Sequence, residues 1–182
     1  ATAAGLRYSY DFDGDGTFDQ GDGTYAGSVT DATAAVPPQL LTDSGTLPVT
    51  VRVIEVNGAF ADLTAAVAVA NVAPTATLTV PADTVAPRAT ARLTLDGVTD
   101  PSPADTTAGF RYDLSVTGPG FVYAGQTATA LVTFPRAGVY TVTGTVTDKD
   151  GGATTRTATV TVLPTVPLAG YAVGADAGGA PR

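Results

Sequence analysis

The feature that most constrains the fold is an internal repeat of glycines and alternating valines. One block recurs 104 residues later: Gly5, Arg7, Tyr8, Gly14, Gly16 and Gly21 return as Gly109, Arg111, Tyr112, Gly118, Gly120 and Gly125. A second block recurs 93 residues later: Gly45, Val49, Val53, Gly58, Val67 and Val69 return as Gly138, Val142, Val146, Gly151, Val160 and Val162. Alternation with a period of two is typical of strands. The repeat therefore predicts two copies of one all-β unit, joined near Ala73-Pro74.

Short strands separated by frequent turn residues predict a tandem of Ig-like antiparallel β-sandwiches. The predicted units span residues 1–73 and 74–164, and Asn57-Gly58 predicts a hairpin turn. Strands expected near 76–80 and 90–95 precede the second Gly block, whereas their counterparts would precede residue 1. We therefore expect the first unit to lack its first strands and to be the less stable one. The Pro/Asp stretch D-P-S-P-A-D at 100–105 is expected to form a loop.

An acidic, glycine-rich stretch, Y-D-F-D-G-D-G-T-F-D-Q-G-D, occupies residues 10–22. Counted from its first aspartate, the acids stand at positions 1, 3, 5, 9 and 12 with glycine at position 6, which is close to the spacing of a calcium-binding loop. The last ligand is Asp instead of the longer Glu, and the flanks read as strands. A polar turn without an ion is the alternative, because Asp and Gly are turn residues. The predicted calcium ligands are Asp11, Asp13, Asp15, Asp19 and Asp22.

The composition excludes several classes of function. The 182 residues include neither cysteine nor histidine, which removes disulfides, zinc sites built on Cys or His, and a Ser-His-Asp triad. A net charge of −8 with one lysine leaves no basic patch for nucleic acid, and no apolar run is long enough for membrane insertion. Asp13 and Asp15 could in principle serve a glycosidase. They share one turn without an implied pocket, so we expect no catalytic residue.

Aromatic and turn residues give further expectations. Residues 6–12 alternate, and their aromatic side chains are expected to pack in a core instead of forming a sugar-stacking strip. Asp148 and Asp150 occupy a hairpin turn equivalent to that of Glu55 and Asn57. Asx side chains that bind nearby backbone N–H groups are the simpler interpretation, and an inter-domain cation site, as in tandem Ig-like modules of adhesins, is the other. Lys149 between these acids is expected to face solvent.

Two motifs resemble those of the PKD (polycystic kidney disease) domain, an Ig-like sandwich found in tandem in bacterial extracellular proteins. Y-D-F-D-G-D-G at 10–16 is similar to its aromatic-Asp-Phe strand and Gly-Asp-Gly turn, with Tyr10 where the family usually has Trp. F-P-R-A-G-V-Y-T-V-T-G-T-V-T-D-K-D-G at 134–151 is similar to its G-x-Y-x-V-x-x-x-V-x-D-x-x-G hairpin. Residues 44–58 match more loosely, with Leu47 for Tyr and Glu55 for Asp, and 113–120 have lost the acids. The resemblance covers nearly the whole chain to about residue 164.

The segment 165–182 differs from both units. L-A-G-Y-A-V-G-A-D-A-G-G-A-P-R at 168–182 weakly resembles the opening of an FG-GAP-type propeller repeat. A flexible Gly/Ala tail is the alternative interpretation.

The expected function is that of a non-catalytic spacer or adhesion module in a large secreted or cell-surface protein, stiffened by calcium. Its expected partners are neighbouring domains of the same chain, with a protein or glycan ligand as a further option; the bacterial extracellular location is implied by the PKD resemblance. The alternative is a carbohydrate- or protein-binding accessory module of an extracellular hydrolase. Exposed aromatics on one sheet face would favour that alternative, whereas the Thr-rich faces at 141–147 and 157–161 favour the spacer.

Overall fold

A computed structural model describes residues 5–80 and 84–165. Within these ranges the chain is built from strands, as its alternating Val/Thr pattern predicts. The strands are β1 (Arg7–Asp11), β2 (Gly45–Ile54), β3 (Phe60–Val69), β4 (Thr75–Thr79), β5 (Thr84–Val85), β6 (Thr90–Thr99), β7 (Arg111–Gly118), β8 (Phe121–Gly125), β9 (Thr129–Thr133), β10 (Gly138–Thr147) and β11 (Ala153–Val162). The helical segments are a 3-10 turn at Pro38–Leu40 and the helix α1 at Pro103–Ala108.

The strands form three sheets with the orders β1-β2-β3, β5-β11-β10-β7-β8 and β4-β6-β9. Every pairing between named strands is antiparallel except that of β5 with β11, which is parallel. The first sheet belongs to residues 5–73, here called the first part. The other two belong to the second part, residues 74–80 and 84–165. The predicted all-β, antiparallel fold is thus confirmed.

The second part is an Ig-like sandwich, because its two sheets face each other across one apolar core. Leu93 and Val132 come from the three-stranded sheet, and Val116, Val142 and Val160 from the five-stranded one; all are at most 2% exposed. Tyr140 is fully buried against the edges of Phe134 and Phe121. Its hydroxyl donates to the carbonyl of Arg136 at 2.9 Å, so the one polar atom of this large side chain is satisfied.

The first part contributes one sheet and a separate apolar cluster. Tyr8, Tyr10, Phe12 and Val49 are buried there, as the alternation of residues 6–12 predicts, and Val29, Val36 and Leu40 from the long β1–β2 connection pack on them. Both faces of β1 are covered, however, since Ser9 and Asp11 on its other face are also buried. The connection folds back over that face: Ser28 Oγ lies 2.6 Å from Ser9 Oγ, and Tyr8 pairs with Val29 through the backbone.

The β2–β3 and β10–β11 hairpins pair in equivalent registers. Gly45 faces Val69 and Ile54 faces Phe60 in the first, while Gly138 faces Val162 and Thr147 faces Ala153 in the second. Each of the four strands has ten residues. Corresponding residues therefore lie 93 positions apart, as the glycine and valine spacing indicates. The unit boundaries at 73 and 164 stay predictions, and the tail resemblance at 168–182 lies outside the described residues.

Candidate functional site

The acidic loop after β1 brings three of its five predicted ligands together. One carboxylate oxygen each from Asp11, Asp13 and Asp15 lies within 4.8 Å of the others. Asp11 is buried, whereas Asp13 and Asp15 are exposed. Asp19 and Asp22 are not in this group, so the structure assembles a smaller set than the calcium-loop spacing predicts.

Backbone N–H groups already occupy the carboxylates of this loop. Asp11 accepts from Gly14 N at 2.7 Å and from Gly16 N at 3.0 Å, one bond on each oxygen. Asp19 accepts from Phe12 N at 2.7 Å. Asp22 accepts from the hydroxyl and the backbone N–H of Thr24, and these bonds lower the pKa of Asp22. The acids thus organise the loop, although each ionised oxygen keeps further lone pairs for an ion.

A second polar cluster joins the two parts of the chain. Lys149 in the β10–β11 turn places Nζ 2.8 and 2.9 Å from the two oxygens of Asp43 and 2.6 Å from Asp150 Oδ2. Ser44 Oγ donates to the same Asp150 oxygen at 2.8 Å. Asp43 and Ser44 precede β2, so these bonds connect residues 106 positions apart. We call this contact, formed by Asp43, Ser44, Lys149 and Asp150, the junction.

The junction corrects the expectation that Lys149 simply faces solvent. Its side chain is 31% exposed, and its ammonium is shared among carboxylates. Hydrogen bonds to Asp150 and Asp43 raise the pKa of Lys149. The bond from Lys149, followed by that from Ser44, lowers the pKa of Asp150. Both shifts favour the charged forms, as expected for an ion pair.

A third acidic cluster lies beneath the junction and is largely closed to solvent. Asp100, Asp105 and Asp148 each contribute an oxygen within 4.8 Å of the others. Asp105 is 0% and Asp148 is 6% exposed. Asp105 Oδ1 lies 3.6 Å from Lys149 Nζ, beyond hydrogen-bonding distance. Both oxygens of Asp105 and Oδ2 of Asp100 lack a hydrogen-bond partner among the described residues.

Local structure explains how these carboxylates are fixed. Asp100 follows β6 directly and accepts from Ser102 N at 2.8 Å. The predicted loop at 100–105 instead leads into α1, where Ser102 caps the helix by accepting from Asp105 N. Helix formation turns the Asp105 side chain inward, which the Pro/Asp composition did not indicate. The acid is therefore held in the core by a cap and by its own helix.

Asp148 fixes the β10–β11 turn and reaches the segment between the two parts. Its Oδ1 accepts from Asp150 N at 2.9 Å and from Gly152 N at 2.8 Å, which is the turn chemistry predicted for this position. Its Oδ2 accepts from Asn71 Nδ2 at 3.0 Å. A Cβ at Gly152 would overlap the Asp148 carboxylate and approach Asn71 Nδ2 to 2.6 Å, so a larger residue there would displace both side chains. In the corresponding turn of the first hairpin, Asn57, which aligns with Asp150, accepts from Ala59 N.

Sequence reasoning missed the buried cluster, because Asp100 and Asp105 were assigned to a polar loop. A usable signal was present: Asp100 and Asp148 each come directly after a ten-residue strand, β6 and β10. Strand ends on facing sheets can bring their next residues together. The inward turn of Asp105 had no comparable signal.

An aromatic and arginine surface lies on the first sheet. The Arg52 guanidinium lies 3.9 Å from the ring centroid of Phe60 and 5.0 Å from that of Phe18. Its Nε and Nη2 donate to the two oxygens of Asp62 at 2.7 and 2.8 Å, which raises the pKa of Arg52 and lowers that of Asp62. Phe60 is 57% exposed. The surface thus offers an exposed ring beside a fixed ion pair.

No family model matches the chain, and no curated protein matches it significantly. Among solved structures, fibronectin(III)-like modules of Clostridium thermocellum CbhA are 18% identical, covering 89% of this chain and 81% of that one, with a TM-score of 0.40. An amphioxus IgVJ-C2 molecule is 17% identical, covering 88% and 91%, with a TM-score of 0.44. These similarities assign no function. The resemblance to PKD domains stays a prediction.

None of the helices in the described residues is long and apolar enough to cross a bilayer.

Proposed function

We propose that the chain is a non-catalytic structural module of a large secreted or cell-surface protein, in which two repeated Ig-like units are held in a fixed relative orientation. The observation that carries this proposal is the junction, where the ammonium of Lys149 binds Asp43 with both oxygens below 3 Å. A spacer needs stiffness at the joint between its units. Bonds between distant segments supply it when several act together.

The equivalent hairpins support the tandem element of the proposal. β2–β3 and β10–β11 share strand length and register with an offset of 93. Their turns, at 55–59 and 148–152, occupy corresponding positions of the repeat. The second turn carries Lys149, which binds Asp43 of the first part. A repeated module that contacts its predecessor through a turn is suited to serial arrays.

The orientation of the two parts tests the spacer proposal. We expect Asp43→Asn to broaden the distribution of distances between spin labels placed on β3 and β9, because it removes the charge that holds Lys149. The matched control is Asp62→Asn, which breaks the Arg52–Asp62 pair inside one hairpin. Pulsed electron-spin measurements should show broadening only for the junction variant. Broad distances already in the unaltered chain would contradict a stiff spacer.

Absence of catalysis is part of the same proposal. We expect no turnover of polysaccharide or protein substrates by the purified chain. Turnover that vanishes in Asp13→Asn or Asp15→Asn while circular dichroism is unchanged would overturn it, since these acids were the glycosidase candidates.

A second candidate function, a glycan-binding accessory module, is favoured by the surface of Phe18, Arg52 and Phe60. An exposed ring can stack on the apolar face of a sugar, and the adjoining Arg52–Asp62 pair can bond its hydroxyls. Chemical-shift titration with soluble cellulose, xylan and chitin oligosaccharides tests it. Phe60→Ala should abolish any shifts, whereas Leu63→Ala, equally exposed on the same strand, should not. Shifts that persist in Phe60→Ala would reject this surface.

Calcium binding by Asp11, Asp13, Asp15, Asp19 and Asp22 remains a proposal for the stiffening ion. The close approach of Asp11, Asp13 and Asp15 supports it, and the backbone bonds to Asp11 supply an ion-free explanation of the same geometry. The expected Kd is on the order of 10⁻⁴ to 10⁻³ M, the range of extracellular modules. Calorimetric titration of Asp13→Ala with Asp15→Ala should lose one site; unchanged heat would mean that the loop is a turn only.

A further inference from the structure

The carboxylates of half-buried Asp100 and buried Asp105 and Asp148 form a cluster that needs a counter-charge. Asp105 is fully buried, and neither of its oxygens has a hydrogen-bond partner among the described residues. Leaving an ionised carboxylate in this state is costly, because burial removes water without replacing its bonds. Two further carboxylates within 4.8 Å add repulsion of like charges.

The ammonium of Lys149 supplies only part of that charge. It lies 3.6 Å from Asp105 Oδ1 but 2.6–2.9 Å from Asp43 and Asp150, so its donors are directed to the junction. Asp105 Oδ2 and Asp100 Oδ2 are both left without a donor. The negative charge of the inner cluster therefore exceeds the positive charge available to it.

We propose that Asp100, Asp105 and Asp148 hold a divalent cation, Ca²⁺, beneath the junction. Oxygens on opposite sides of a calcium ion are separated by about twice the 2.3–2.6 Å coordination distance, which accommodates the 4.8 Å limit of this group. Mg²⁺ requires a tighter octahedron, and Zn²⁺ prefers the nitrogen and sulfur ligands that the chain does not offer. This site is distinct from the acidic loop at residues 11–22.

Asn71 provides a fourth oxygen from the segment that connects the two parts. Its amide nitrogen donates to Asp148 Oδ2 at 3.0 Å. Rotation of the amide by 180° puts the carbonyl oxygen in the same place. The cation then ties the connecting segment, the start of α1 and the β10–β11 turn to one centre. It holds Asp148, the residue before Lys149, and Asp105, whose Oδ1 lies 3.6 Å from Lys149 Nζ, and thereby fixes the acids next to the junction.

The test uses the whole chain, first stripped with chelator and then titrated with CaCl₂ and, separately, MgCl₂ in a calorimeter. We expect calcium binding with a melting temperature raised by about 5–10 °C at 100 times Kd. Asp105→Asn keeps the shape of the side chain but removes its charge. It should weaken calcium binding at least about tenfold, because the lost ligand carries a full charge in a dry site. It should also leave the chelated protein as stable as, or more stable than, the unaltered chain.

A second variant and a control keep the result decisive if one protein fails to fold. Asp100→Asn should weaken binding in the same way, since its Oδ2 is the other unpartnered oxygen. Asp13→Asn with Asp15→Asn should leave this site intact. Binding that disappears only in the double variant would overturn the proposal in favour of the acidic loop. The absence of any calcium response in the unaltered chain would also overturn the proposal.

Discussion

The hairpins β2–β3 and β10–β11 have the same length and register but very different surroundings. In β10, Tyr140, Val142 and Val146 are fully buried, because the β4-β6-β9 sheet covers that face. In β2 only Val49 and Ile54 are buried, and β3 is exposed along most of its length. The cover over β2 comes from loop residues such as Val36 and Leu40.

The repeated pattern determines the strand limits and register of both hairpins but not how deeply each is buried. Alternation and turn residues set the strand limits and the pairing register, which are local properties. Burial depends on what lies opposite, and in the second part that is another sheet. The stability contributed by equivalent residues should therefore differ even where their sequence positions correspond.

The largest expected difference concerns Tyr140 and its equivalent, Leu47. We expect Tyr140→Ala to reduce the free energy of unfolding by about 3–5 kcal/mol, because it empties a buried site and removes the bond to Arg136. Leu47→Ala, at a half-buried position, should cost only about 1 kcal/mol. Urea unfolding followed by circular dichroism measures both. Similar losses would mean that the two hairpins are equally covered in solution.

A sharper comparison places the residue of the first hairpin at the corresponding position of the second. Gly144 faces Leu95 so closely that a Cβ would lie 2.8 Å from Leu95 Cδ2, whereas the first sheet carries Val51 there. Gly144→Val should destabilise by about 1–3 kcal/mol through overpacking. The stability of Gly144→Ala should fall between those of the unaltered chain and Gly144→Val. Thermal melting checks the series, and a neutral Gly144→Val would show that the sheets can separate at no cost.

Hydrogen exchange compares the hairpins without substitutions. We expect amides of β10 and β11 to exchange at least about tenfold more slowly than those of β2 and β3, since opening the second hairpin exposes a shared core. The strand-centre amides 142–145 and 49–52 form the matched set, because Pro48 has no N–H to exchange. Equal protection of the two sets would remove the basis of the comparison.

The smallest expected effect is the pH dependence of the junction. Asp150 has a lowered pKa in the folded chain, so its contribution is present above the unfolded value near 4 and is lost as pH falls through the folded value. Lys149 has a raised pKa, so its contribution is complete below about 10.4 and is lost as pH rises through the folded value. The junction should therefore hold between about pH 4 and pH 10.

Small-angle scattering checks this window. Acidification below pH 4 should loosen the orientation of the two parts while the circular dichroism signal of the strands persists. The bond to Arg52 also lowers the pKa of Asp62. Loss of this pair at low pH should leave its hairpin folded, because ten residue pairs join β2 to β3, so it is the internal comparison for the junction. An orientation unchanged at pH 3 would show that the ion pairs do not set it.

Much of the fold was predictable from periodicity. The limits of β2, β3, β10 and β11 follow the glycine and valine spacing, and the burial of Tyr8, Tyr10 and Phe12 follows their alternation. Turn chemistry also predicted the backbone bonds of Asp148 and Asn57. Each of these depends on neighbours a few residues away, which a single sequence displays.

The rest depends on contacts that spacing does not encode. Asp105 is buried because it lies in a six-residue helix capped by Ser102, which turns the Asp105 side chain inward. Lys149 binds Asp43 because the β10–β11 turn lies next to the segment that precedes β2. Ser9 was covered by a connection that passes close to it at Gly21, where a Cβ would overlap the Ser9 hydroxyl. Such outcomes are decided by tertiary packing.

The parallel pairing of β5 with β11 determines how the second part would respond to tension along the chain. Thr84 pairs with Thr161 and Val85 with Val162, and Leu163 N donates to Val85 O at 3.0 Å. Force applied through the chain on either side of this sandwich pulls the two strands in opposite directions. These bonds are then loaded in shear and must break together, whereas a hairpin pulled from its open end unzips one pair at a time. Mechanical resistance in the second part would therefore concentrate in its shortest strand.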